Sequence, residues 1–443
     1  MAARVIPGRG IRRLMPLIAL LTANGFSLAG NAITMIVIPL YVLSDTDSVF
    51  AAGVAGAFVT VPVIIGGAFG GVLVDRLGFR RAAIIADLAS GITVLAIPLL
   101  AATVGLPFWG LLTLIFLSGL LDTPGNTAKS ALLPDLATDS TVDLTRATGA
   151  QAAISRSAAM VGAAVAAGSV VWLGPLNSLL LDAVTFAISA ALLWLLVPTQ
   201  QRSGEPTIVQ EPTGLQRTPE PSASRPGYWR ELLDGIRFLA SQPLLRNLVL
   251  LIVITNCIDV ALITVLGPVY ARTVSPDGAF FGVMIACFAG GALVGSLLFA
   301  WLGQRLPRRI TLVVCFFLAG SPIFFSMALD LPVPALLLVF VLAGLSAGSI
   351  NPLVGSVLYE LIPREIRARV LGTVTTGVSL GMPLGSLLAG AAVAGFGLVP
   401  TLVGAGSIYA VMTLTPLIGR SWLALDDSRA GHTPISRSVG APA

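Results

Sequence analysis

The chain alternates between long apolar runs and short polar breaks. The runs lie near 14–43, 50–74, 81–104, 108–131, 142–171, 176–197, 246–272, 279–303, 309–329, 333–359, 366–396 and 399–420. A run of about 20 apolar residues crosses a bilayer as a helix, and runs longer than that tilt or extend into the interface. Helix is the conformation expected of every run, because lipid offers no partners to backbone N–H and C=O groups. The period-two alternation of a membrane barrel is absent. The pattern therefore predicts an all-α membrane protein with twelve transmembrane helices.

The polar breaks carry a second pattern. Arg4, Arg9, Arg12 and Arg13 precede the first run, and Arg76, Arg80 and Arg81 follow the second. Lys129 and Arg146 flank the fourth break, and Arg305, Arg308, Arg309, Arg364, Arg367 and Arg369 fall in later even-numbered ones. The odd-numbered breaks hold Asp45, Asp47, Asp277 and Asp330 against Arg272 alone. Cytoplasmic loops concentrate Lys and Arg, so both termini and the central loop are expected in the cytoplasm of a multi-pass protein of the inner (plasma) membrane. Residues 198–228 are rich in Pro, Ser, Thr, Gln and Glu, the composition of a flexible linker. Residues 229–245 place Trp229, Leu232, Leu233, Ile236 and Leu239 near helical spacing, which suits an amphipathic surface helix. The expected organisation is a six-helix bundle at 1–197, a linker region at 198–245, a second bundle at 246–420, and a disordered cytoplasmic tail at 421–443.

Composition narrows the function. The chain is 56% apolar and 11% charged, and its net charge of +5 follows from topology, so no nucleic-acid partner is needed. Cys257, Cys287 and Cys315 fall within apolar runs without ligand spacing, which suits packing residues rather than a metal site or disulfides. The first run is too long for a cleavable signal peptide. The single histidine, His432, lies in the polar tail, and the single lysine, Lys129, belongs to no phosphate-binding loop. These features argue against an enzyme and against resident cofactors, metals or intrinsic ATP use.

The two sets of six runs correspond. Ile33-Thr34, Pro39 and Tyr41 answer Ile263-Thr264, Pro268 and Tyr270, while Ser118 and Pro124 answer Ser346 and Pro352. Arg80-Arg81 answers Arg308-Arg309. All these pairs lie about 228–230 residues apart, as a duplicated transporter would have them. Glycines crowd the second and fifth runs of each half: Gly66, Gly67, Gly70, Gly71, Gly162, Gly168, Gly291, Gly295, Gly377, Gly381 and Gly385. Small residues at four-residue spacing allow close helix contact, either within a bundle or along a surface where the halves slide.

The break after the second run reads Gly71-Val-Leu-Val-Asp75-Arg76-Leu-Gly78-Phe-Arg80-Arg81. It resembles the loop signature of the major facilitator superfamily, with Phe79 where that family usually has a basic residue. Leu121-Asp122-Thr-Pro124-Gly-Asn126-Thr-Ala-Lys129, Ala86-Asp87-Leu-Ala-Ser-Gly91, Leu181-Asp182-Ala-Val-Thr-Phe186 and Glu360-Leu-Ile-Pro363-Arg-Glu365 are similar to the macrolide-efflux, enterobactin-exporter and Tap-type branch. The resemblance implies proton-driven efflux of lipophilic drugs or siderophore-like compounds by a monomer, with the proton gradient as energy source. It also implies a cytoplasmic latch of Gly71, Asp75, Arg76, Gly78, Arg80 and Asp87, in which Asp75 accepts from a helix N-terminus and Asp87 pairs with loop arginines. Two departures stand out. The fourth run has no internal Arg, and the fifth has lost the Pro that proton antiporters of the family often carry.

Ionisable groups inside a span are functional candidates. Asp259 and Asp122 are the candidate proton carriers. Asp182, at the start of the sixth run, suits a helix cap, and Arg156 suits a partner for one of the acids or for an anionic substrate. By the resemblance, the first and fourth spans of each half line the cavity, which nominates Asn24, Phe26, Asn31, Tyr41, Asn256, Asn351 and Tyr359. The competing readings are a proton-coupled importer of a small metabolite and a membrane protein without transport activity.

Overall fold

The computed structural model describes residues 8–198, 237–302, 306–362, 366–418 and 422, with the side chains of 8–12, 67–73, 75, 359 and 367–369 outside that description. The predicted linker from 199 to 228 and residues 229–236 of the amphipathic segment therefore lie outside the described residues; 237–241 is helical, and 243–245 already belongs to the next long helix.

Among the described residues, eleven helices are long and apolar enough to cross a membrane, and one of them is two spans joined end to end. The first half holds α1 (Gly8–Thr46), α2 (Val49–Leu77), α3 (Phe79–Thr103) and α4 (Phe108–Asp139). The stretch Leu144–Leu196 then turns at Gly174, where φ is +76° and Pro175 follows, dividing it into α5 (144–173) and α6 (175–196). The second half holds α7 (Pro243–Val274), α8 (Phe280–Leu302), α9 (Arg308–Ala328), α10 (Val333–Leu361), α11 (Arg367–Phe396) and α12 (Leu398–Ile418). The twelve apolar runs of the sequence thus become twelve helices, with ends that shift by only a few residues. No strand occurs among the described residues.

Local chemistry explains the ends. Ser48 Oγ caps α2 by accepting from Ala51 N at 3.2 Å, and Asp143 Oδ1 caps α5 by accepting from Thr145 N at 2.8 Å. The α2–α3 connection is a single residue, Gly78, at φ +80°, a conformation open to glycine at little cost. Pro39, Pro62, Pro124, Pro352 and Pro383 sit inside helices, where neighbouring helices tolerate the missing donor. α7 carries a π-helical turn at Leu262–Leu266, just after Asp259.

Two arginines make the pseudo-symmetry visible in atoms. Arg80 donates to the carbonyls of Leu193 (3.3 Å) and Trp194 (2.5 Å) at the end of α6. Arg309 donates to those of Pro416 and Leu417 at the end of α12, both at 2.8 Å. Each half therefore ties the end of its last helix to the start of its third, using an arginine to satisfy orphan carbonyls. The tail expectation also changes at its start: Trp422 is buried in the apolar cluster of the second half, beside Leu245 and Val357.

The halves touch at the end bearing the acidic turns. A Cβ on Gly53 of α2 would stand 2.7 Å from Ser386 O and 3.0 Å from Gly390 Cα of α11. A Cβ on Gly282 of α8 would stand 2.6 Å from Ala167 Cβ of α5. Arg272 of α7 donates to Leu43 O of α1 at 2.7 Å and reaches Asp47 Oδ1 at 3.3 Å. At the opposite, basic end, Gly149, Gly372 and Gly377 have no neighbour within 4 Å of an added Cβ. Among the described residues, the close approaches between the halves gather at the acidic end. Of the glycines singled out in the sequence, Gly162, Gly291, Gly295 and Gly385 pack inside their own half; Gly53, Gly56, Gly282 and Gly390 make the contacts between halves.

Candidate substrate cavity

Between the halves lies a cavity of about 810 Å³. Its apolar wall includes Met35, Val59, Val63, Ile97, Ile115, Ile263 and Met382. Its polar positions are the carboxyls of Asp122 and Asp259, the amides of Asn31, Asn126 and Asn256, and hydroxyls that include Thr34, Thr60 and Ser130. No Lys, Arg or His lines it among the described residues. A largely apolar pocket with a few fixed polar groups is the usual form of a small-molecule site.

The two acids enter from opposite halves and are held differently. Asp122, on α4, accepts from Asn31 Nδ2 of α1 at 2.9 Å and from Asn126 Nδ2 at 2.7 Å, both through Oδ2. Its Oδ1 is buried without a partner, as is Asn126 Oδ1. Asp259, on α7, is half-buried and accepts no hydrogen bond among the described residues. It lies one turn from Asn256 and just before the π-helical turn. Such turns often mark functional positions in helices.

The other candidates are sorted by helix rotation. Asn31 and Asn256 line the cavity, while Asn24, Phe26, Tyr41 and Asn351 do not. Asn24 is buried in the first half, and Tyr41 packs against the core near the acidic end. Phe26 and Asn351 are exposed and outside the cavity lining, and the side chain of Tyr359 lies outside the described residues. Sequence reasoning missed Thr34, Thr60 and Asn126. Asn126 was legible in principle, because it stands one turn from Asp122.

Three expectations about charged groups are corrected. Asp87 does not pair with loop arginines. It binds Lys129 Nζ at 2.7 Å and accepts from Ser189 Oγ at 2.6 Å, with both charged side chains fully buried. It lies two turns inside α3, out of reach of the loop. Asp182 is not a helix cap, because α6 begins at 175, well before it. It is fully buried and accepts from Thr34 Oγ1, and a side chain on Gly30 would collide with its carboxyl. Arg156, half-buried on α5, neutralises none of the acids and makes no ion pair among the described residues. Within the expected latch, Gly78 makes the turn and Arg80 caps α6, while Arg76 is exposed; the side chains of Gly71 and Asp75 lie outside the described residues.

Twelve spanning helices in two corresponding halves, closed around a central cavity from one end, define a polytopic secondary transporter. Residues 20–275 and 249–442 match the Major Facilitator Superfamily, and the chain belongs to that family. It is 28% identical over 380 residues to the multidrug efflux pump Tap of Mycobacterium tuberculosis, covering 85% of this chain and 86% of the relative. The crystal structure of the nucleoside transporter NupG matches with a TM-score of 0.67 at 14% identity, covering 92% of this chain and 98% of that one. A bacterial homologue of the lysosomal transporter Spinster, in an inward-facing and unoccupied conformation, matches with a TM-score of 0.67 at 14% identity, over 94% of this chain and 97% of that one. These likenesses below one-fifth identity speak for the fold. As a member of the Major Facilitator Superfamily, the chain is a membrane transporter.

Proposed function

We propose that the protein exports lipophilic cations across the inner (plasma) membrane by alternating access, in exchange for protons carried at Asp259 and Asp122. The observation that carries this reading is the cavity itself: apolar walls, one carboxyl from each half, and no basic side chain among the described lining residues. A cation gains from both carboxyls, whereas an anion would face two like charges in a water-poor site. The same chemistry argues against the siderophore-like alternative wherever such a ligand is anionic. The name of the Tap relatives, multidrug efflux pump, supports the direction and the breadth.

The basic end is the cytoplasmic one by the distribution of arginines, which puts both termini in the cytoplasm. The closed acidic end then faces outward, and this state loads substrate from the cytoplasm or the inner leaflet. Binding of a cation would displace protons from the acids, and re-protonation from the outside would release it. Accumulation of ethidium in an efflux-deficient host expressing the protein tests the proposal. Lower accumulation that rises on adding a proton uncoupler is expected. Unchanged accumulation over a panel of lipophilic cations would remove the efflux reading.

A further inference from the structure

The polar side chains of the cavity wall turn most of their hydrogens into the protein. Thr34 donates its hydroxyl to the buried Asp182, whose carboxyl reaches α1 over Gly30, where a Cβ would collide with it. Thr60 donates to Gly56 O at 3.1 Å, and Thr123 and Thr127 donate to the carbonyls one turn before them. Asn256 commits an N–H to Ile252 O at 2.9 Å, while Asn31 and Asn126 each commit one to Asp122 Oδ2. Among the described lining residues, the donors left to the cavity are the second N–H of each amide and the hydroxyls of Ser118 and Ser130. Every carboxyl and amide oxygen of the wall except Asp122 Oδ2 remains free to accept, and the negative charge of the site lies on this side of the balance.

Two of these oxygens differ from the rest. Asp122 Oδ1 and Asn126 Oδ1 are buried and accept no hydrogen bond. Buried polar atoms are nearly always bonded, and an unserved one carries a desolvation penalty that a donor would remove. The two residues stand four apart on one face of α4, and both line the cavity. The amides of Asn31 and Asn126 converge on the same oxygen, Asp122 Oδ2, at 2.9 and 2.7 Å. That convergence fixes the carboxyl and leaves the other two oxygens without a donor. The fold does not require such a pair. Pro124 and Pro352 set the offset of α4 to α10 at 228, so Ile350 answers Asp122 and Val354 answers Asn126. Both pack in the apolar cluster of the second half, which builds this turn from hydrocarbon alone.

We propose that Asp122 and Asn126 form an N–H-accepting subsite, through which the cavity favours cations that bear N–H groups (protonated amines, amidinium and guanidinium ions) over cations that bear none. Both side chains border the cavity, so the donor that serves their free oxygens belongs to the ligand. The inference rests on the export of lipophilic cations and names the chemistry that ranks them. The apolar walls and the carboxyls of Asp122 and Asp259 hold any lipophilic cation. A cation with N–H groups adds charge-assisted hydrogen bonds. A cation without them leaves both oxygens unserved and sets alkyl or aryl groups against them. Unpaired polar groups of this kind discriminate between ligands more sharply than an apolar wall does.

A matched pair of dyes tests the subsite: the methyl ester of rhodamine with unsubstituted amino groups, and its analogue with every amino hydrogen replaced by methyl. They share one skeleton and one fixed positive charge and differ in their N–H groups. Binding to the purified protein in lipid nanodiscs is read by fluorescence polarisation, against empty nanodiscs. The parent protein should bind the amino dye tighter by about tenfold or more, the scale of one hydrogen bond to a charged group, although the methylated dye is the more lipophilic. In the variant Asp122→Ile with Asn126→Val, which copies the second half, the two affinities should become equal. Loss of one carboxyl weakens both dyes alike, so their ratio isolates the N–H groups. If that variant fails to fold, Asp122→Leu with Asn126→Leu, close in volume to the side chains replaced, carries the same expectation. Equal affinities in the parent protein, or a preference that survives in the folded double variant, would overturn the proposal. Binding of neither dye to the parent protein would instead overturn the cation reading beneath it, and the subsite with it.

Discussion

At the scale of single residues, the two cavity acids differ in a way that separates their expected phenotypes. Asp259 has no hydrogen-bond partner among the described residues, so Asp259→Asn removes a charge with little loss of structure. Uphill ethidium export should fall at least tenfold while the protein keeps its thermal stability, as read by fluorescence-detected melting. Asp122 accepts two amide hydrogen bonds. Asp122→Asn should lose transport as well and, with an amide now facing two amide donors, should also melt earlier. The ion pair gives the largest structural effect. Lys129→Met strands the Asp87 carboxylate in a fully buried site, at a cost of about 3–5 kcal/mol, and its melting temperature should drop well below that of the variant Asp87→Asn with Lys129→Met. The acids themselves were legible in the sequence, because charge inside an apolar run is conspicuous. Their partners were not. Asp87 could have met a loop arginine or Lys129 equally well on spacing alone, and only the packing of α3 against α4 decides between them.

At the scale of helices, the apolar runs translate almost directly into spans, because the bilayer leaves no other conformation. The fifth and sixth runs show the limit of hydropathy alone, since one continuous helical stretch covers both and only Gly174-Pro175 divides it. Rotation was the missing coordinate for the cavity. Asn24, Asn31 and Asn351 look alike in sequence, yet Asn31 alone of these three turns inward, because α1 presents the face that also carries Thr34. Glycine content likewise located close contact without saying with what. At Gly53 and Gly390 the contact is between α2 and α11, and it closes the acidic end. A side chain there has only backbone to push against, so Gly53→Val should favour the state open at that end. Spin-label distances across the acidic end should lengthen in this variant relative to the parent protein; unchanged distances would mean that the closure does not depend on this approach.

At the scale of the whole molecule, the duplication is nearly even in fold and uneven in chemistry. Each half ties its last helix with an arginine and carries corresponding prolines in its first and fourth spans. The first half buries Asp87 and Asp182 with Lys129 and brings Asp122 to the cavity, while the second brings Asp259 there from a helix with a π-helical turn. Such a division suits a transporter in which each bundle contributes one acid to a shared cavity. The central claim is that cation export and proton entry are one exchange at these two acids. Proteoliposomes holding the purified protein, loaded with tetraphenylphosphonium and given an imposed pH gradient, test it most directly. The account predicts gradient-driven movement of the cation, with protons moving the opposite way, and loss of both in Asp259→Asn and Asp122→Asn. Cation movement that ignores the pH gradient, or that persists at full rate in both variants, would contradict it.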